Sequence, residues 1–116
     1  MPIKFITDKI TRSELLDLAR ERFGDMVKAV VDIANETMTV GGDLHADEEA
    51  MLLQAGSKQE NLWGINIYPE KVGDDMIEFD SMINIRPSMN NRSRGIESME
   101  IQQKIKSVVN KLIHDA

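Results

Sequence analysis

A chain of 116 residues fits one domain, because two independent cores of half that length would each be too small. With 41% apolar and 29% charged residues it has the composition of a globular protein, and the absence of cysteine excludes disulfides, thiol catalysis and thiolate metal or iron–sulfur sites. A net charge of −6 works against nonspecific attraction to nucleic acid and to anionic membranes, so neither is expected as a partner.

In chain order, Ile3 to Ile6 is a short β-prone run that stops at the turn-favouring pair Thr7-Asp8. Thr11-Arg12-Ser13-Glu14 matches a capping box, and Leu15, Leu16, Leu18, Ala19 and Phe23 supply an apolar stripe. A helix is predicted from about Arg12 to Phe23, with Gly24 at the left-handed C-terminal position. Val27 to Ile33 and Thr37 to Val40 are β-prone runs separated by Asn35-Glu36, the pattern of a hairpin. Gly41-Gly42-Asp43 breaks the second run. Asp43 or Asp47 is placed to cap the next helix, DEEAMLLQAG, whose acidic first turn suits the helix dipole and which ends at Gly56.

Asn61 to Tyr68 alternates Trp63, Ile65 and Ile67 with Leu62, Gly64, Asn66 and Tyr68, and Pro69 closes it. Met76 to Arg86 continues in the same way, with Ile77, Phe79, Ile83 and Ile85 against Glu78, Asp80, Asn84 and Arg86. The intervening loop, with Gly73, has hairpin length. Ser98 precedes a final helix with a broad apolar face from Ile101 to Ile113. The order is β-α-β-β-α-β-β-α, which predicts a single α+β domain with a mainly antiparallel sheet covered by helices; the order of strands within the sheet is not readable.

The segments DLHADEEAMLLQAGSKQENLWGINIYP and IEFDSMINIRPSMNNRSRG resemble the signature stretches of a family of small prokaryotic proteins defined as a domain of unknown function. The resemblance covers almost the whole chain. It implies one compact domain and carries no activity, substrate or catalytic residue. The N-terminal MPIKFITDKI lacks the apolar segment of a signal peptide, and no run approaches the roughly 18 residues of a membrane span, so the cytoplasm is the expected location.

Three places offer chemistry. His45 lies beside the carboxylates Asp47, Glu48 and Glu49, a set that suits acid–base work or a hard cation, with Asp80 as a further candidate partner. Against this, the carboxylates answer the helix dipole and His45 packs at the helix start. His114 reads as a solvated cation near the last helix end. One well-placed histidine without cysteine is a poor basis for zinc, so no tight transition-metal site is predicted.

The second place is the polar face of the last hairpin, with Asn66, Tyr68, Glu78, Asp80, Asn84 and Arg86, where Gly64 leaves a gap. The third is INIRPSMNNRSRG, in which Pro87 ends the strand, Asn90-Asn91 favours a turn, and Arg86, Arg92 and Arg94 make the most basic segment of an acidic chain. Guanidinium forks suit phosphate and carboxylate, so Arg86, Arg92 and Arg94, helped by Asn84 and Asn90, are read as an anion-binding loop, with at least two arginines expected to converge on one depression. The competing reading is a surface loop whose arginines pair with carboxylates of their own chain. No Walker, G-x-G-x-x-G or G-x-S-x-G pattern occurs, and no cofactor is called for.

Three functions therefore stand in order. A non-catalytic module that binds a small anionic ligand or an acidic protein surface comes first. A small hydrolase-like or metal-dependent enzyme centred on His45 comes second. A structural subunit assembling as a homo-oligomer, for which the eight methionines supply an adaptable surface, comes third.

Overall fold

Both hairpins form, and they join through their long strands. The computed structural model describes residues 3–115. Its elements are β1 (Lys4–Ile6), β2 (Ile10–Thr11), α1 (Arg12–Arg22), β3 (Val27–Asp32), β4 (Thr37–Val40), α2 (His45–Gln54), β5 (Leu62–Ile67), β6 (Ile77–Glu78), α3 (Met99–Leu112) and β7 (Ile113–His114). Five strands make one antiparallel sheet in the order β1-β4-β3-β5-β6, with β3 at its centre.

Local chemistry sets most helix ends. The Thr11 hydroxyl accepts the Glu14 N–H at 3.0 Å and the Glu14 carboxylate accepts the Thr11 N–H at 3.1 Å, so the capping box starts α1 as expected. Gly24, at φ 91°, follows its last turn. Ser98 starts α3, its hydroxyl accepting the Ile101 N–H at 3.2 Å. The start of α2 differs from expectation: Leu44 is its N-cap and no side chain caps it, while Asp43 pairs with Arg22 at 2.8 Å. The helix thus begins at His45, two residues ahead of the acidic turn.

The sheet is covered on both faces. Val27, Ala29, Val31, Met38, Val40, Trp63, Ile65 and Ile67 meet α1 and α3 through Leu15, Leu18, Ala19, Ile105, Val108, Val109 and Leu112. On the opposite face Leu52 of α2 packs with Val30, Leu62 and Ile83. Every residue of β5 is buried as a result. A small parallel pair, β2 with β7, lies outside the prediction: Ile10 meets Ile113 and Thr11 meets His114, so His114 is an exposed strand residue and not a helix end. Two-residue strands are too short to show an alternation.

The predicted strand from Met76 to Arg86 is also corrected. Only Ile77–Glu78 pairs with β5; the chain then makes 3-10 turns at Met82–Asn84 and Pro87–Met89. The Ser81 hydroxyl accepts the Ile83 N–H at 3.2 Å and turns the backbone, which carries Ile83 to the α2 side, away from Trp63. Asn90, at φ 61°, takes the left-handed turn expected of it, and the backbones of Arg86 and Asn91 close a short bridge.

This turn leaves part of β5 without a neighbouring strand, and side chains fill the place. The Gly64 N–H donates to Asn84 Oδ1 at 2.8 Å, Asn84 Nδ2 donates to the Gly64 carbonyl at 2.9 Å, and the Arg86 guanidinium donates to the Leu62 carbonyl. An edge closed in this way cannot template another chain. Gly64 is required by the closure: a Cβ there would stand 2.5 Å from the Ser81 Cβ. The gap expected at Gly64 is therefore filled by Ser81.

Candidate functional site

Across the α2 face, the strand registers place Lys28 of β3 opposite Asn66 of β5, and Asn66 opposite Glu78 of β6. Lys28 and Asn66 line a cleft of about 200 Å³, walled by Leu44, His45 and Ala46 at the start of α2, by Asp80 to Ile83, and by Arg94. Edge-strand pairing, a helix start and a loop thus meet at one point.

His45 is only 7% exposed, and its Nε2 lies 2.8 Å from the Ile65 carbonyl. A carbonyl only accepts, so Nε2 carries the proton and Nδ1 is left as an acceptor. Burial pushes the His45 pKa below its ordinary value, with Lys28 and Arg94 acting in the same direction; the Ile65 hydrogen bond and the Asp80 charge oppose them. The ring is neutral at physiological pH. Asn66, also 7% exposed, donates through Nδ2 to Glu78 at 2.9 Å, and the Tyr68 hydroxyl donates to the same oxygen at 3.1 Å. That fixes the amide orientation. Asn66 Oδ1 is buried and has no hydrogen-bond partner among the described residues. Asp80 pairs with Arg94 at 2.7 Å, and both are partly exposed.

The structure sorts the predicted residues. His45, Asp80 and Arg94 come together in this cleft. Asp47 is exposed on α2, and because His45 is already helical the two do not converge. Glu48 is fully buried on the sheet side; its Oε2 accepts the Gly42 N–H at 2.9 Å, while burial pushes its pKa up to about 9 and keeps it neutral.

The expected convergence of arginines does not occur. Arg86 lies over the Trp63 ring at 4.7 Å, 3.5 Å from Glu49, with its side chain 11% exposed, and belongs to a separate open groove of about 640 Å³. Its guanidinium is used to close the β5 edge. Arg92 is exposed, its backbone N–H donating to Glu97 at 2.8 Å. Asn84 is spent on Gly64, and Asn90 is an exposed turn residue.

The loop is nonetheless rigidly tied. Asn91, read from the sequence only as a turn residue, is buried and donates to the carbonyls of Asn84 at 2.7 Å and Gly95 at 2.8 Å, while its Oδ1 accepts the Glu97 N–H at 2.8 Å. Lys28 and Ser81 were also missed as site residues. Lys28 had a signal: it is the one charge inside the apolar run VKAVV.

No group of three His, Asp or Glu among the described residues is placed to hold a metal ion. No helix among them is long and apolar enough to cross a membrane. Fold and cleft together define a small α+β domain with a polar, mixed-charge recess beside β3 and β5. The chain belongs to the family described as Protein of unknown function (DUF5674), which matches residues 4–112. No curated protein and no solved structure matches it.

Proposed function

We propose that this chain is a non-catalytic binding module that holds a small anion, a carboxylate or phosphate, in the cleft between β3, β5 and the first turn of α2. The observation that supports this is that Lys28, whose ammonium lies over the Phe23 ring at 5.4 Å, and Arg94 both line one recess in a protein of net charge −6. They come from a central strand and from a distant loop, so their meeting is a product of the fold and not of a basic run. Arg94 is available to a ligand because its Asp80 partner is an exposed one, and such pairs are weak. The arginine loop thus contributes one of its three guanidiniums.

The test is thermal stability in phosphate and in propionate against chloride of equal ionic strength. Stabilisation of the wild type, lost in Lys28→Gln and Arg94→Ala, is the expected result. A wild type indifferent to both anions overturns the proposal.

A second reading, an acid–base enzyme, is favoured by one observation: a His45 whose Nε2 is held by the Ile65 carbonyl, so that Nδ1 is an acceptor, lining a cleft that also contains Asp80. Turnover that His45→Gln abolishes would establish it in place of simple binding.

A further inference from the structure

We infer that the ligand of this cleft is a small α-amino acid with a short apolar side chain, bound as its zwitterion; this deepens the binding proposal and rests on it. The polar groups of the recess fall into two sets. Lys28 and Arg94 are cations suited to a carboxylate. Asn66 Oδ1, His45 Nδ1 and the Asp80 carboxylate are all acceptors, suited to a group with several N–H donors. An ammonium has three donors and a positive charge.

The Asn66 acceptor carries most weight, because its orientation is not free. With Nδ2 held by Glu78, only Oδ1 remains, and it is shut off from solvent although the residue lines the cleft. Buried polar atoms are rarely left unpaired, so a partner supplied by the ligand accounts for it.

Asp80 argues against a simple anion. If a carboxylate draws Arg94 away, Asp80 is left beside two negative oxygens with no partner. The ammonium of a zwitterion answers that charge, so binding exchanges one ion pair for two. Of the remaining lining, the Ser81 hydroxyl is turned to the Ile83 N–H, and Leu44, Ala46, Met82 and Ile83 are apolar and offer a place for a short aliphatic side chain. The volume of about 200 Å³ corresponds to roughly six or seven water volumes, at about 30 Å³ each, which suits a molecule the size of alanine or valine.

The experiment is calorimetric titration of the full chain with L-alanine, L-valine, propionate and isopropylamine. At least one amino acid should bind at least tenfold more tightly than propionate and isopropylamine, which each lack one charged end. Asp80→Asn, at a partly exposed position that tolerates the change, should lower amino-acid affinity at least fivefold without weakening propionate; Asn66→Leu should remove the discrimination between the two. Equal affinity for amino acid and propionate overturns the zwitterion while leaving the anion site. Amino-acid binding unaffected by Asp80→Asn also overturns the zwitterion. If no compound of the set binds, this inference falls; if phosphate also gives no stabilisation, the anion site falls with it.

Discussion

Glu48 is an unfavourably placed carboxyl, its pKa pushed up by burial to about 9, and replacing it with glutamine should stabilise the fold increasingly as pH rises. Its carboxyl is fully buried, accepts one hydrogen bond from Gly42 and leaves Oε1 unpartnered among the described residues. Burial raises its pKa from 4.5 to about 9, against the weaker opposing effects of that hydrogen bond and of Lys28. Between these values the folded state holds a proton that the unfolded state has released, so stability falls as pH rises through the window. Because pH 7 lies about two and a half units above the ordinary value of 4.5 and still below the raised one, the penalty there, at about 1.4 kcal/mol per unit, is about 3 kcal/mol.

Glutamine keeps an acceptor for Gly42 and has no proton to lose. It leaves one orphan polar atom, as the protonated acid does. His45 has the opposite sign: its depressed pKa means that the unfolded state binds the extra proton as pH falls through 6.5, which weakens the fold on the acid side. The range from pH 6.5 to 8.5 therefore isolates Glu48. Urea unfolding followed through Trp63, the only tryptophan and a buried one, reads the difference directly. Glu48→Gln should be more stable at pH 7 by about 3 kcal/mol, with a gap that widens towards pH 8.5. Wild type and variant curves that run parallel across this range would refute the reasoning.

The arginines of the loop should separate by two orders of role. Arg86→Ala should cost about 2 kcal/mol or more, because it removes the donor to the buried Leu62 carbonyl and the cation over Trp63, whereas Arg92→Ala should stay within about 0.5 kcal/mol. Equal effects in chemical denaturation would show that Arg86 does not close the edge. Gly64→Ala should cost about 2 kcal/mol by overpacking against Ser81, and Ser81→Gly in the same chain should recover a good part of it. Strict additivity of the two changes would contradict the contact.

Elements governed by neighbours in sequence were legible. The Thr11–Glu14 box, Gly24 and Ser98 act within one helical turn, and the alternation of Asn61 to Tyr68 is real because β5 is a central strand. Met76 to Arg86 misleads for a physical reason: its apolar period continues past Glu78, yet Ile83 satisfies it on a different face once Ser81 turns the chain. Whether Asn84 points outward or replaces a strand depends on a glycine twenty residues away. The same limit applies to the cleft. His45, Asp80 and Arg94 were identified by their chemistry, but their meeting with Lys28, Asn66 and Ser81 depends on the register of β3 on β5, which no local pattern encodes.

The distribution of buried polar groups bears on where the function lies. Asp32, Thr39, His45, Glu48, Asn66, Ser81 and Asn84 are buried on the α2 side of the sheet or at the edge beside it, and Asn91 in the adjoining loop; the core under α1 and α3 is built from apolar side chains. Two of these groups, Glu48 Oε1 and Asn66 Oδ1, lack partners among the described residues. An apolar α2 face would be easier to stabilise, since an unpaired buried polar atom costs about 1–3 kcal/mol. The α1 and α3 face is built mainly from apolar side chains, although the Trp63 indole Nε1 is also buried there without a partner among the described residues. Local departures from the rules of a stable core are expected at sites that act on something, and three of these buried polar residues, His45, Asn66 and Ser81, line the cleft to which Lys28 and Arg94 also contribute. The apolar half of the sandwich positions β3 and β5; the α2 half, with its proton-sensitive Glu48 and His45, borders the recess in which binding is proposed.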